Sequence, residues 1–217
     1  MCPSATGGMI ACVSDLPAPA PVERPLAQRI RELDAILGRP RFVEVCVDLL
    51  GGADRTAYVD ELRYLTNHDW SVCDPIRDRD SWKDHWVRTW GARGLLHCWD
   101  DGATRPVVAG LADEHYRPAE MCLKVAAQHD VAGSGPGAAL LTRHQLPRVR
   151  IQAARALGVV GDTDQADALR SLLDDEDEGV RRHAARAWER LARRLDLPAG
   201  TDLSGADLRG KRGRGGR

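Results

Sequence analysis

Long apolar runs are missing from this 217-residue chain. No segment reaches the roughly 18 apolar residues that a membrane-spanning helix needs, so no membrane partner is expected. Aromatic residues are scarce at 5%, with a single Phe, yet six of them are Trp. Lysine is almost absent, and arginine supplies nearly all of the 31 basic residues. That imbalance is a compositional bias rather than a mechanism. The six cysteines (Cys2, Cys12, Cys46, Cys73, Cys98 and Cys122) form no C-x-x-C pair and match no zinc frame. Reduced thiols in a cytoplasm are the plain reading. There is no G-x-S-x-G, no phosphate loop and no H-E-x-x-H. Asp69, Asp74, Asp78, Asp80 and His85 lack the D-x-D-x-D-G order of a calcium loop. Neither a metal nor a cofactor is therefore expected. The net charge of −1 names no partner.

The ends carry little packing code. GGMIACV is short, lacks a basic start and runs soon into PAPAPVERP, so it is no convincing secretory signal. Residues 1–22 read as a disordered leader, and 199–217 as a disordered Gly- and Arg-rich tail. One domain is expected between them, over 23–198.

What the chain does have is a repeat. VRIQAARAL at 149–157 returns as VRRHAARAW at 180–188, 31 positions later. Stepping back by the same period gives PAEMCLKVA from Pro118 and VRTWGARGLL from Val87. GLADEHYRP at 110–118 likewise matches SLLDDEDEGV at 171–180. Each unit reads as a helix, an acidic turn and a second helix. A period of 20–50 residues marks stacked units, because one helix pair cannot bury its own apolar face. The V-R-x-x-A-A-x-A-L pattern and the acidic turn before it resemble HEAT-like repeats, in the short form first named from phycobilisome bilin lyases. The resemblance covers about 81–195. It implies an all-α solenoid and is nearly silent on function; no residue argues for bilin attachment.

Second helices are expected near 82–98, 117–128, 147–159 and 178–195. First helices are expected near 103–113, 136–144 and 164–174. Helical periodicity at 25–37, 41–50 and 55–67 predicts an N-terminal cap. The interval 68–81 fits no repeat and reads as a long loop.

Advancing about 100° per residue from Val87, Val149 or Val180 puts positions +4, +7 and +8 on one apolar stripe. Arg88, Arg150 and Arg181, one place after the valine, sit on its edge. A half-buried arginine needs a carboxylate, and the turn acids Asp113, Asp174 and Asp175 are the obvious suppliers. Arg93, Lys124, Arg155 and Arg186, six places on, sit far from the stripe. With helices about 10 Å apart they would form a basic line about 30 Å long. The resemblance implies that second helices line the concave surface, which makes this line a candidate for an acidic partner. The other reading is a solvated arginine-rich face.

Trp82, Trp86 and Trp90 follow at i, i+4 and i+8 and fall on the same face. Indole beside guanidinium suits a binding surface. Alternatively, the N-terminal helices or the 68–81 loop fold over these rings. A second resemblance lies in AYVDELRYLTNHDWSVCD (57–74), which ends in W-x-x-x-D. It is similar to the alkylpurine DNA glycosylases built on HEAT-like repeats. It implies that Trp70 packs on a damaged nucleotide and that Asp74 stabilises the cationic sugar as the base leaves. The plain alternative is that Trp70 plugs the end of the stack and Asp74 caps a helix. The leading expectation is a non-catalytic binding or scaffold protein for an acidic protein or a nucleic acid. Excision of alkylated bases is the alternative.

Overall fold

The computed structural model describes residues 16–17, 24–66, 68, 70, 76 and 83–197. Among these residues there is no strand, and ten α-helices form the molecule. An N-terminal group holds α1 (Leu26–Leu37), α2 (Arg39–Leu50) and α3 (Val59–Leu65). The second helices are α4 (Asp84–His97), α6 (Tyr116–His129), α8 (Pro147–Val160) and α10 (Glu178–Arg194). The first helices are short: α5 (Thr104–Gly110), α7 (Gly135–Leu141) and α9 (Ala166–Ser171). The starts of α6, α8 and α10, at 116, 147 and 178, keep the 31-residue period.

Polar side chains start these elements. Asp177 accepts from the backbone N–H of Val180 ahead of α10. Asp162 and Gln165 form a reciprocal capping box before α9. Gly38, at φ +77°, turns the chain between α1 and α2 in a conformation that side-chain-bearing residues avoid.

The second helices pack side by side in the order α2, α4, α6, α8, α10, and the short first helices lie against them. The predicted stripe is the core. Val149, Ala153, Ala156 and Leu157 of α8, and Val180, Ala184 and Leu191 of α10, are buried. Small residues set the helix spacing. A Cβ on Gly91 of α4 would lie 2.5 Å from the Cys46 carbonyl of α2, and one on Gly158 of α8 would lie 3.0 Å from Ala187 of α10. The N-terminal group adds Ile30, Leu33, Phe42, Leu49, Leu62 and Tyr64 to the same core.

The edge arginines act as clasps between units. Arg88 reaches both carboxylate oxygens of Asp113, at 2.7 and 3.0 Å. Arg150 does the same to Asp175, at 2.7 and 2.8 Å. Each pair spans 25 residues. Arg150 also donates to the carbonyls of His144 and Gln145, tying its own turn to the next one. Asp174, expected as a second supplier, is exposed, because it ends the 3-10 turn Leu172–Asp174 on the solvent side. Among the described residues Arg181 meets no further unit, and it donates to the carbonyls of Asp175 and Glu176.

The middle joint has Ala119 and His144 at the clasp positions. There a buried carboxylate, Glu120, takes over. It meets Arg148 of the next unit at 2.8 Å and Lys124 of its own helix at 3.0 Å. Burial opposes its ionisation, but the two cations outweigh that and hold its pKa below the ordinary value.

Two residues of the leader read as disordered, Leu16 and Pro17, are described. Leu16 packs against the core, and the Tyr64 hydroxyl donates to the Pro17 carbonyl. The rest of 1–22, the tail 199–217, and most of 68–81 lie outside the described residues. Cys46, Cys98 and Cys122 are buried free thiols. Burial pushes the Cys98 thiol up to about 11 and raises Cys46 and Cys122 well above the ordinary thiol value.

Candidate binding face

The face of the second helices turned from the apolar stripe can be read as four rows, each with one residue per helix at 31-residue spacing. One place before the valine come Trp86, Arg117, Arg148 and Gly179. Three places after it come Trp90, Met121, Gln152 and His183. Six places after come Arg93, Lys124, Arg155 and Arg186. Ten places after come His97, Gln128, Val159 and Arg190. None of these positions is Asp or Glu, and seven are Arg or Lys. The exposed acids lie elsewhere: Asp100, Asp101, Asp162, Asp164, Asp174 and Glu176 in the turns, and Asp84, Glu178 and Glu189 at other positions of the second helices.

The face is not uniform along its length. Its α4 end is covered. Trp90 is 9% exposed and Trp70 8%, with ring centroids 5.6 Å apart. Both were expected on a binding surface, and both are packed inside. Trp70 follows α3 in the chain, and its ring packs against Trp90, which in turn stacks on Trp86 at 6.4 Å. Trp86 remains half-buried, and the Arg117 guanidinium sits over its ring at 4.8 Å. Arg117 and Arg148 also flank Tyr116, at 5.2 and 6.0 Å. The row Trp86–Arg117–Arg148 thus forms stacked contacts across three helices. Its signal in the sequence was the 31-residue spacing one place before each valine. Trp82 and Asp74 lie outside the described residues.

The basic line divides in the same way. Arg93 is half-buried, and burial pulls its pKa below the ordinary value, with no carboxylate against it among the described residues. His97, next along α4, is also lowered, first by burial and then by Arg31, Arg93 and His129. Lys124, expected to be free, is drawn to Glu120, because the middle joint lacks an arginine clasp. Arg155 and Arg186 are exposed.

Between α8 and α10 the face opens into a cleft of about 400 Å³, lined by Ala127, Arg155, Gly158, Val159, His183, Arg186, Ala187 and Arg190. Among the described residues no carboxylate pairs with its three arginines. The only hydrogen bond they make is a long one from Arg155 to Gln152, at 3.5 Å. His183 contacts the Gly179 carbonyl through Nδ1 at 2.7 Å. A carbonyl only accepts, so Nδ1 carries the proton, and Nε2 is the ring's remaining polar atom. The chemistry on offer is anion recognition by guanidinium forks. The lining holds no Ser, Thr, Cys, Lys, Asp or Glu.

A family model described as HEAT repeats matches residues 138–202. Together with the stacked helix pairs, this match supports a HEAT-like repeat protein. No curated protein and no solved structure matches it. The glycosylase resemblance gains no support: the matched segment starts well after 57–74, and Trp70 is buried. No group of three or more His, Cys, Asp or Glu suited to a metal ion occurs among the described residues, and no helix there is long and apolar enough to cross a membrane.

Proposed function

We propose that this HEAT-like repeat protein is a non-catalytic binding or scaffold protein whose acid-free face receives an acidic partner. Stacked helical repeats make extended binding surfaces. The observation that carries the reading is the sign segregation in a chain of net charge −1. Four rows on four helices hold seven Lys or Arg and no acid, while the exposed acids sit in the turns and at other helix positions. Packing does not require arginine at Arg155, Arg186 or Arg190, which are exposed and free of ion pairs among the described residues. An opposing field from a partner would steer association and set its orientation.

The test is titration of poly-L-glutamate and of a short DNA duplex at two salt concentrations. The comparison is wild type against Arg155→Glu/Arg186→Glu/Arg190→Glu. Arg93 is left intact because it is half-buried. The triple variant is expected to bind at least tenfold more weakly, with a flatter salt dependence. Unchanged affinity in that variant, or no binding of either polyanion at low salt, would sink the reading.

A further inference from the structure

We propose that the cleft between α8 and α10 receives a phosphomonoester, carried on a phosphorylated side chain of a partner protein. This rests on the acid-free face being the binding face, and it names the group that face is built to take.

Three guanidinium groups, Arg155 from α8 and Arg186 and Arg190 from α10, line one cleft with no carboxylate to balance them. Three other arginines of the second helices are matched: Arg88 by Asp113, Arg150 by Asp175 and Arg148 by Glu120. Three unmatched like charges around one cleft repel one another, and an anion seated among them removes that repulsion. The floor is low. Gly158 and Ala187 pack against each other and, with Ala127, project little above the helix surface, so a group can seat low among the three arginines.

A carboxylate satisfies one guanidinium fork. A phosphomonoester carries about −1.5 to −2 charges and three acceptor oxygens, which suits several forks converging from two helices. His183 adds a polar atom to the same wall.

A nucleic-acid backbone would need free cations along a track. The candidates that would extend such a track are engaged: Lys124 and Arg148 on Glu120, and Arg117 on Trp86 and Tyr116. Trp90, a possible platform for a base, is buried. On the acid-free face, the unmatched, exposed cations therefore concentrate at one cleft, and a localised dianion fits that pattern better than a polymer.

The experiment is calorimetric titration of the full chain with three probes: a Gly/Ala-based peptide carrying one phosphoserine, its unphosphorylated twin, and single-stranded oligothymidylate. The phosphopeptide is expected to bind at least tenfold more tightly than its twin, and inorganic phosphate is expected to compete with it. Arg155→Gln/Arg186→Gln should erase that preference while leaving the helical circular dichroism intact. Arg190→Gln alone, a smaller change, should reduce the preference at least threefold. Equal binding of the two peptides overturns the proposal, as does a preference that survives in the double variant. So does tighter binding of oligothymidylate that Arg148→Gln weakens as much as Arg186→Gln, since that result describes a track. If poly-L-glutamate still binds through the arginines while the phosphoserine preference is absent, only the phosphate assignment falls. If no anion binds, both readings fall.

Discussion

The helices α8 and α10 carry almost the same nine residues, and their surroundings pull those residues apart. Ala154 and Ala185 occupy the same position, five places after the valine. Ala154 is fully buried, as are its equivalents Ala92 and Leu123, whereas Ala185 is exposed. Arg150 is 9% exposed and clasps Asp175, whereas Arg181 is exposed and holds only two backbone carbonyls. The cause is position in the stack: α10 covers α8, and no described helix covers α10. A repeat therefore writes one packing code, and each neighbour decides how much of it is used. The leftover arginines of α10 then serve as a polar outer surface and as one wall of the cleft.

The sharpest way to break this comparison is to place a short charge at the two alanines. Ala154→Asp buries a carboxylate between helices with no cation opposite, at a cost of about 3–5 kcal/mol. Ala185→Asp should cost no more than about 1 kcal/mol, mostly through lower helix propensity. Chemical denaturation of both variants decides it. Equal losses would mean that α10 is covered by something beyond the described residues.

The arginines give a smaller difference. Arg150→Ala leaves the buried Asp175 without its partner and should cost about 1–3 kcal/mol. Arg181→Ala removes hydrogen bonds that water can replace and should cost less than about 0.5 kcal/mol. Thermal melts of the two variants check the order, and a reversed order would refute the clasp.

Acid sharpens the same contrast. Burial opposes ionisation of Asp175, but hydrogen bonds from Arg150 and from the Asp177 N–H outweigh it and hold its pKa below the ordinary value. Glu120 is held down in the same sense. A depressed folded pKa means that the unfolded chain binds the proton more readily. The stability these groups add is therefore fully present above their unfolded values of about 3.9 and 4.3. It is lost as pH falls through the lower, folded values. Melting temperature should drop between pH 5 and pH 3. The drop should be shallower in Glu120→Gln and in Arg150→Ala, whose melts at neutral pH are already lowered. A variant that follows the wild-type curve would show that its carboxylate is not protected.

Much of this architecture is visible in the spacing of residues. The valine that returns in three of four units, the alanine stripe and the Arg88–Asp113 and Arg150–Asp175 clasps all repeat, and a repeat places residues on a face. Spacing does not say which neighbour covers that face. Trp90 and Arg93 share a face with Arg155 and Arg186 on a helical wheel, yet Trp90 is buried against Trp70 and Arg93 is half-buried, and Trp70 lies before the repeats, with no repeat to announce its docking. Glu120 was invisible for a related reason: it replaces a missing clasp, and a substitution at one joint breaks the pattern that would reveal it. The α8–α10 cleft depends on Gly158 and Ala187 together, on helices 31 residues apart, and only their packing brings the three arginines around one space.

The smallest effect expected belongs to the residues most exposed to solvent. Arg155 and Arg186 lie six places after the valine in α8 and α10, and neither pairs with a carboxylate among the described residues. Removing an exposed, unpaired charge changes folding free energy by about 0.5 kcal/mol or less. Relief of repulsion across the cleft could even make the change favourable. Arg155→Ala/Arg186→Ala should therefore melt at or slightly above the wild-type temperature at low salt, and the small gain should vanish at high salt, where screening already separates the charges. Arg150→Ala, on the same helix and five residues away from Arg155, should melt lower at both salt concentrations. A matched pair of melts at low and high salt measures all three proteins. If the double variant loses stability instead, Arg155 and Arg186 are tied into the fold by contacts from outside the described residues, and the cleft between α8 and α10 is not open to a partner.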